Sequence, residues 1–352
     1  MNASHQAAGR VTCAVALAAA TWALTACGSP IEQAEDLAVS MGNATPAASP
    51  AAQDPTGAVH PFASVRDLDS TGDLLGVRTE DSLVVGKLEQ VLSGNATTYS
   101  LDDACGDVSA NAGTFAVACG DTIRLFRADG EESFAAETPV TAATVTSTGE
   151  VLAASDTDRS VWLYKDGALE RTFSAARETT QLQAVPVDGQ PDTVVRTNSF
   201  DTTIQDMDWG KGRQGGTLRV GLGMGKIAGG DDGLVLAADA TGSQLLVYTS
   251  DDIIRLHQMI PVAESPWDVA WDTSNRLAWI ASTATNTASG YDISRGVPLV
   301  RASVRTVADA QSMVSLDDAT LVLASASGDG LQVVRAADLD IHPLPESDEE
   351  KQ

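Results

Sequence analysis

Pro266-Trp267-Asp268-Val269-Ala270-Trp271, then Asp272-Thr273-Ser274-Asn275, then Arg276-Leu277-Ala278-Trp279-Ile280-Ala281-Ser282, is an apolar run, a turn and a second apolar run. A Thr/Asn/Ser loop follows, then Tyr291-Asp292-Ile293, the turn Ser294-Arg295-Gly296 and a fourth run over residues 298–304. Short β-rich runs bounded by turn residues predict a small four-stranded antiparallel sheet across residues 265–304. Such a sheet has two apolar faces and cannot bury both alone.

Working outward, the same pattern returns. Residues 65–68, the turn Asp69-Ser70-Thr71-Gly72, and runs 73–78 and 82–87 form a first unit. A hairpin around Asn111-Ala112-Gly113 and the run 122–127 begin a second. Residues 140–165, 182–208, 226–248 and 310–335 each repeat the scheme, and the opening stretch is the sixth of seven units. A period of about 40 residues is that of propeller blades, which bury their faces against one another around a ring. The fold class expected is therefore all-β, a β-propeller of seven four-stranded blades over residues 61–344. Six or eight blades are the alternatives in count, and a pair of β-sandwiches the alternative in architecture.

The opening stretch resembles the Pro-x-x-[Ile/Val]-Ala blade of YncE-like (YVTN repeat) and WD40-like propellers, through Pro266, Val269, Ala270, Asp272, Asn275, Leu277, Trp279, Ile280 and Ala281. It lacks the Gly-His…Trp-Asp pair of true WD40 blades. Residues 1–26 carry a polar start to Arg10 and an apolar run over 11–24, too short to span a bilayer and shaped as a signal peptide. The run ends in Leu24-Thr25-Ala26-Cys27, which resembles a bacterial lipobox. Taken together the chain resembles the YncE-like and LppL-like β-propeller lipoproteins of actinobacteria. That resemblance implies cleavage before Cys27, a diacylglycerol thioether on Cys27, and an extracytoplasmic, membrane-anchored protein. Two acyl chains suffice for stable anchoring. Residues 27–60, with Thr45-Pro46-Ala47-Ala48-Ser49-Pro50-Ala51-Ala52, read as a flexible tether, and 345–352 as an acidic disordered tail.

The formal net charge is −26, from 22 Lys and Arg against 48 Asp and Glu. Like-charge repulsion argues against nucleic acid, or an anionic lipid surface, as the main ligand. Once Cys13 leaves with the signal and Cys27 is lipidated, Cys105 and Cys119 remain, an even pair in an exported chain. If residue 110 faces 114 across the hairpin, every opposed pair sums to 224, and so do 105 and 119. The two cysteines then meet across neighbouring strands, and a disulfide is expected. A redox-active pair is the alternative, but the spacing is not that of a redox motif.

No motif for catalysis stands out. His60, His257 and His342 are not at metal-ligand spacing, and no Gly-x-Ser-x-Gly accompanies them. The Asp doublets sit at expected turns, where Asp bonds its own backbone. Gly210-Lys211-Gly212-Arg213-Gln214-Gly215-Gly216 and Gly221-Leu222-Gly223-Met224-Gly225-Lys226 invite a phosphate-loop reading, but strands rather than a helix follow them. They read as irregular loops with a small basic lip. First strands line a propeller's channel, so the start of each names a candidate rim: Arg66, Asp107, Gln181, Met224, Trp267 and Gln311. Such a ring suits a protein, glycan or small polar ligand. The expected function is a binding or scaffold module for a cell-envelope partner, monomeric, with no cofactor. The alternative is a propeller hydrolase or lactonase with a divalent metal held by channel carboxylates, for which Asp107 and Asp268 are the visible candidates.

Overall fold

The computed structural model describes residues 41–344. The signal segment, Cys27, the first part of the tether and the acidic tail lie outside the described residues. Among these, seven sheets form a closed ring, each first strand packing against the first strand of the next blade and the seventh against the first. The chain is a seven-bladed β-propeller.

Blade 1 is built from Asp67–Thr71, Leu74–Arg78, Ser82–Lys87 and Thr97–Ser100. Blade 3 spans residues 142–174, blade 4 residues 181–219 and blade 5 residues 224–261. Blade 6 consists of Pro266–Asp272, Leu277–Ser282, Thr287–Asp292 and Leu299–Arg305. Its third strand thus begins inside what the sequence suggests is a loop. Thr and Ser are good strand residues where their side chains find hydrogen-bond partners. In blade 2, Cys105–Asn111 pairs with Thr114–Arg127, which pairs with Gly130–Val140. The long middle segment turns at Gly120 (φ 62°), and Arg127 Nε donates to Thr114 Oγ1 at 3.1 Å, so it supplies both central strands.

The apolar core lies between blades rather than within them. Trp279, fully buried, packs with Ala270, Met313 and Leu323 between blades 6 and 7. Val269, Leu236 and Ile280, with the half-buried Trp271 against them, fill the junction of blades 5 and 6. The small second-strand residues Ala153, Ala154, Ala237, Ala238 and Ala324 are completely buried there.

Cys105 and Cys119 are joined by a disulfide, with their Cα atoms 3.9 Å apart. The hairpin register differs from the expected one. Asn111 faces Thr114 and Ala110 faces Phe115, sums of 225, because a two-residue turn at Ala112-Gly113 (φ 46° and 79°) closes it. A bulge between Cys105 and Val108 then shifts the pairing by one and restores Cys105 opposite Cys119. Closing this loop is worth about 3 kcal/mol in the chain-entropy account.

The ring closes with a strand from the segment read as a tether. Ala58–His60 pairs antiparallel with Leu331–Val334 as the outer strand of blade 7, Ala58 opposite Val333 and His60 opposite Leu331. Residues 41–57 run ahead of it along one face of the ring. This is the upper face, from which the first strands start. Gly42 N donates to Leu222 O (3.0 Å), and Thr56 N to Arg305 O (3.0 Å). The fully buried Gln332 donates to the carbonyls of both Thr56 and Arg305 (2.8 Å each) and accepts from Val307 N (2.9 Å). Low apolar content did not keep this segment free, because hydrogen bonds rather than apolar burial hold it down.

Candidate functional site

Each blade's first strand is an inner edge, with backbone N–H groups that its own sheet leaves unpaired. Buried donors of this kind need acceptors. The neighbouring blade supplies them. Asp67 Oδ2 accepts from Val108 N (2.8 Å) and Asp69 Oδ2 from Ala110 N (2.6 Å), joining blade 1 to blade 2. Thr144 Oγ1 accepts from Ala184 N (3.0 Å) and is bonded to Ser109 Oγ (2.9 Å), joining blades 2, 3 and 4. Gln181 accepts from Ile227 N (3.2 Å) and donates to Gly225 O (3.0 Å), joining blades 4 and 5. Asp268 Oδ2 accepts from Met313 N (2.7 Å), joining blades 6 and 7.

These strands enclose a cavity of about 510 Å³ running down the axis. Its centre holds Lys226. The ammonium is paired with Asp67 Oδ1, lies 4.0 Å from Asp268 Oδ2 and donates to Ser312 Oγ at 2.9 Å. One lysine from blade 5 thus reaches blades 6, 7 and 1. Burial alone would lower its pKa, but the carboxylates of Asp67, Asp268 and Asp107 outweigh that and hold it above its usual value. The carboxylates feel the opposite pressure. Desolvation pushes Asp69 up to about 8, reinforced by Asp67 and Asp268 and opposed by the Ala110 bond. It pushes Asp268 up to about 7, against the pull of Lys226. Asp107 is also raised, by desolvation in the channel and then by Asp67 beside it.

The structure separates the six candidate rim residues. Asp107 and Gln181 line the cavity, Gln181 as a staple between blades. Met224 is buried between blades 4 and 5, packed with Val195, Ile204 and Tyr248, and is a core residue. Arg66 is exposed and, like Trp267 and Gln311, lies outside the cavity lining. For Trp267 and Gln311 the reason is a recurring bulge. The ladder shifts between Cys105 and Val108, between Met224 and Ile227, between Pro266 and Asp268, and between Ala310 and Ser312. Asp107, Lys226, Trp267 and Gln311 sit within these irregularities, so strict alternation fails there. Glycine marks two of them. A Cβ on Gly106 would stand 2.3 Å from Thr141 O, and one on Gly225 would stand 2.4 Å from Trp267 O, so the first strands approach more closely than any side chain permits.

Sequence reading missed Asp67, Asp69 and Lys226. Asp69 belongs to the strand Asp67–Thr71, not to a turn, because its carboxylate serves the next blade. The signal was positional, a charged residue in the first run of four units. It also missed the fully buried Arg78, which donates to the carbonyls of Thr79, Glu80 (2.9 Å), Asp102 (3.3 Å) and Cys105 (3.2 Å) and ties blade 1 to blade 2.

The glycine-rich segment resolves into Trp209–Lys211, a single 3-10 turn, and the outer strand Arg213–Arg219. No joint basic lip forms, since Lys211 Nζ (3.2 Å) and Arg213 Nε (2.8 Å) share the one carboxylate oxygen Asp208 Oδ2 while Lys226 turns into the channel. Among the described residues no group of three or more His, Cys, Asp or Glu is placed to hold a metal ion.

Solved structures share this fold, among them a WD40 β-propeller domain. A chain of the mitotic checkpoint complex superposes with a TM-score of 0.63 at 12% identity, covering 94% of this chain and 99% of that one. The WD40 β-propeller domain of Doa1 gives 0.57 at 12% identity, covering 79% and 96%. No family model matches the chain, and no curated protein does.

Proposed function

We propose that this chain is a lipid-anchored, extracytoplasmic propeller that binds or scaffolds a partner in the cell envelope. The lipobox at Cys27 supports the address, and the likeness to WD40 propellers supports a protein-interaction role. The observation that carries the binding reading is the state of the channel. Four of its charged groups, Asp67, Asp69, Asp268 and Lys226, are committed to joining blades, with Lys226 stationed among the carboxylates of Asp67 and Asp268. Recognition then falls to the faces and rim of the ring.

The hydrolase alternative requires a divalent ion at that centre, and the residues do not fit one. An ammonium already stands between the carboxylates, and Asp67 and Asp268 each give an oxygen to a backbone amide. Calcium or a transition ion needs several free oxygens or imidazoles converging on one point.

Cross-linking in intact cells followed by pull-down should recover a specific envelope partner with the full chain. Cys27→Ala should lose incorporation of labelled fatty acid and leave the membrane fraction. Recovery of no partner, or a stoichiometric divalent metal in the purified protein, would defeat the binding reading.

A further inference from the structure

Residues 41–57 contribute no side chain to the buried core, yet they are held in one path across the upper face of blades 5 to 7. The contacts concentrate on Ala44-Thr45-Pro46-Ala47-Ala48-Ser49-Pro50. Ala47 N donates to Ser265 Oγ (2.9 Å). Ser49 is read by three bonds: its N–H donates to Asp309 Oδ1 (2.9 Å), its hydroxyl donates to Thr283 O (2.7 Å), and the hydroxyl accepts from Asp309 N (2.8 Å). Asn286 Nδ2 donates to Pro50 O (2.7 Å). Ser265, Thr283, Asn286 and Asp309 come from three successive upper loops of blades 6 and 7. Ser265 and Thr283 also bond each other, Oγ to Oγ1 at 3.0 Å and Thr283 N to Ser265 O at 3.0 Å, which fixes the loops that present these donors and acceptors to the segment.

Two features mark this as a recognition groove and not only a fold contact. Asn286 is 7% exposed, and its Oδ1 is buried with no hydrogen-bond partner, so the site holds an acceptor that the present occupant leaves unused. The occupant is also of low intrinsic stability. It is held by hydrogen bonds without apolar burial, and segments of that kind open well before the domain unfolds. Its prolines favour an extended backbone in advance, which lowers the cost of binding.

We propose that the upper-face groove at the junction of blades 6 and 7 is a recognition site for an extended Ala/Ser/Pro segment of a partner protein, self-occupied by residues 44–50. This rests on the binding-module reading and names its surface and the chemistry of its partner. The serine is the specificity residue, since Asp309 and Thr283 together satisfy its hydroxyl and its amide. Displacement of residues 44–50 exposes the groove while Ala58–His60 stays in blade 7.

The test uses the full chain and a fluorescein-labelled peptide of residues 44–52, followed by anisotropy. Ser49→Trp releases the strap without touching the groove, seen as faster deuterium exchange over 41–57. It should bind the peptide at least about tenfold more tightly than wild type, where self-occupancy masks the site. Asp309→Gly keeps the left-handed backbone at that position (φ 50°) and removes the acceptor, and on the Ser49→Trp background it should abolish binding. A released strap with no peptide binding overturns the proposal, as does binding indifferent to Asp309→Gly. Self-association of Ser49→Trp in place of peptide capture would assign the groove to a second copy. A strap that stays protected and excludes peptide in Ser49→Trp would make it a fixed part of the fold. An envelope partner still cross-linked when the peptide fails would sink this proposal alone and leave the binding-module reading standing.

Discussion

The inner wall of the ring solves one problem in two ways. Around blades 6, 7, 1 and 2, the unpaired first-strand amides are capped by carboxylates, Asp268 on Met313 N, Asp67 on Val108 N and Asp69 on Ala110 N. Around blades 3, 4 and 5, neutral groups do the same work, Thr144 on Ala184 N and Gln181 on Ile227 N. A charged acceptor makes the stronger bond to an amide, but carries a desolvation cost that a hydroxyl does not. The charged half is therefore incomplete without a counter-ion, and Lys226 reaches in from blade 5 to provide it. The neutral half needs no such device. Lys226 is thus a ring-closing residue, although it lies far in sequence from Asp67 and Ser312, which it joins.

Lys226→Met tests that most directly. It leaves Asp67 and Asp268 buried without their cation, and removing one partner of a buried pair costs about 3–5 kcal/mol. Urea unfolding should show that loss, and Lys226→Met combined with Asp67→Asn should recover part of it as a coupling energy. A loss below about 1 kcal/mol would mean that the channel screens the carboxylates without the lysine.

In the neutral half, Thr144→Val keeps shape and removes the hydroxyl that serves Ala184 N and Ser109. Leaving a buried amide unpaired costs about 1–3 kcal/mol. The loss should be the same across pH, because no ionisable group is involved. A pH-dependent loss at Thr144 would break the division between the halves.

The two halves were not equally legible. Blade boundaries follow from turn residues and short apolar runs, which local chemistry dictates, so the seven units and the architecture could be read from residues such as Asp272-Thr273-Ser274-Asn275. The pairing of Cys105 with Cys119 was also readable, although two offsetting shifts of register lie beneath it. The channel was not readable in the same way. A bulge displaces Trp267 and Gln311 from the alternation that strand reading assumes, and Met224, paired with Asp239 just ahead of such a bulge, packs into the core. Asp69 looks like a turn residue until the amide of Ala110, forty-one positions away, is placed opposite it. The closing strand Ala58–His60 has no apolar signature and is defined by its partner, Leu331–Val334.

The charged half should also give the protein a pH signature. The folded pKa values of Asp69 and Asp268, about 8 and about 7, lie above the ordinary unfolded value near 4. A folded state that holds these protons more tightly is stabilised by them below about pH 4, and loses that contribution as pH rises through 7 and 8. Thermal unfolding should thus be a few degrees lower at about pH 8.5 than at about pH 5, the direction linkage requires. Asp69→Asn keeps an oxygen for Ala110 N and removes the largest of these titrations, so it should flatten the difference. An unchanged slope in Asp69→Asn would place the titration elsewhere.

The smallest effect is expected from Asp268→Asn, within the charged half itself. The amide oxygen of Asn can still accept from Met313 N, so the blade 6 to blade 7 staple survives. What is lost is a carboxyl group 4.0 Å from Lys226, only partly ionised at neutral pH, while Asp67 remains in direct contact with the ammonium. What is gained is one fewer carboxylate to desolvate beside Asp67 and Asp69. These effects oppose each other, and the net change should lie within about 1 kcal/mol of wild type near neutral pH. Asp67→Asn should cost clearly more, because it removes the partner that Lys226 touches. If urea unfolding instead shows Asp268→Asn as damaging as Lys226→Met, the lysine is balanced on Asp268 rather than on Asp67, and the ring is closed chiefly through blades 5, 6 and 7.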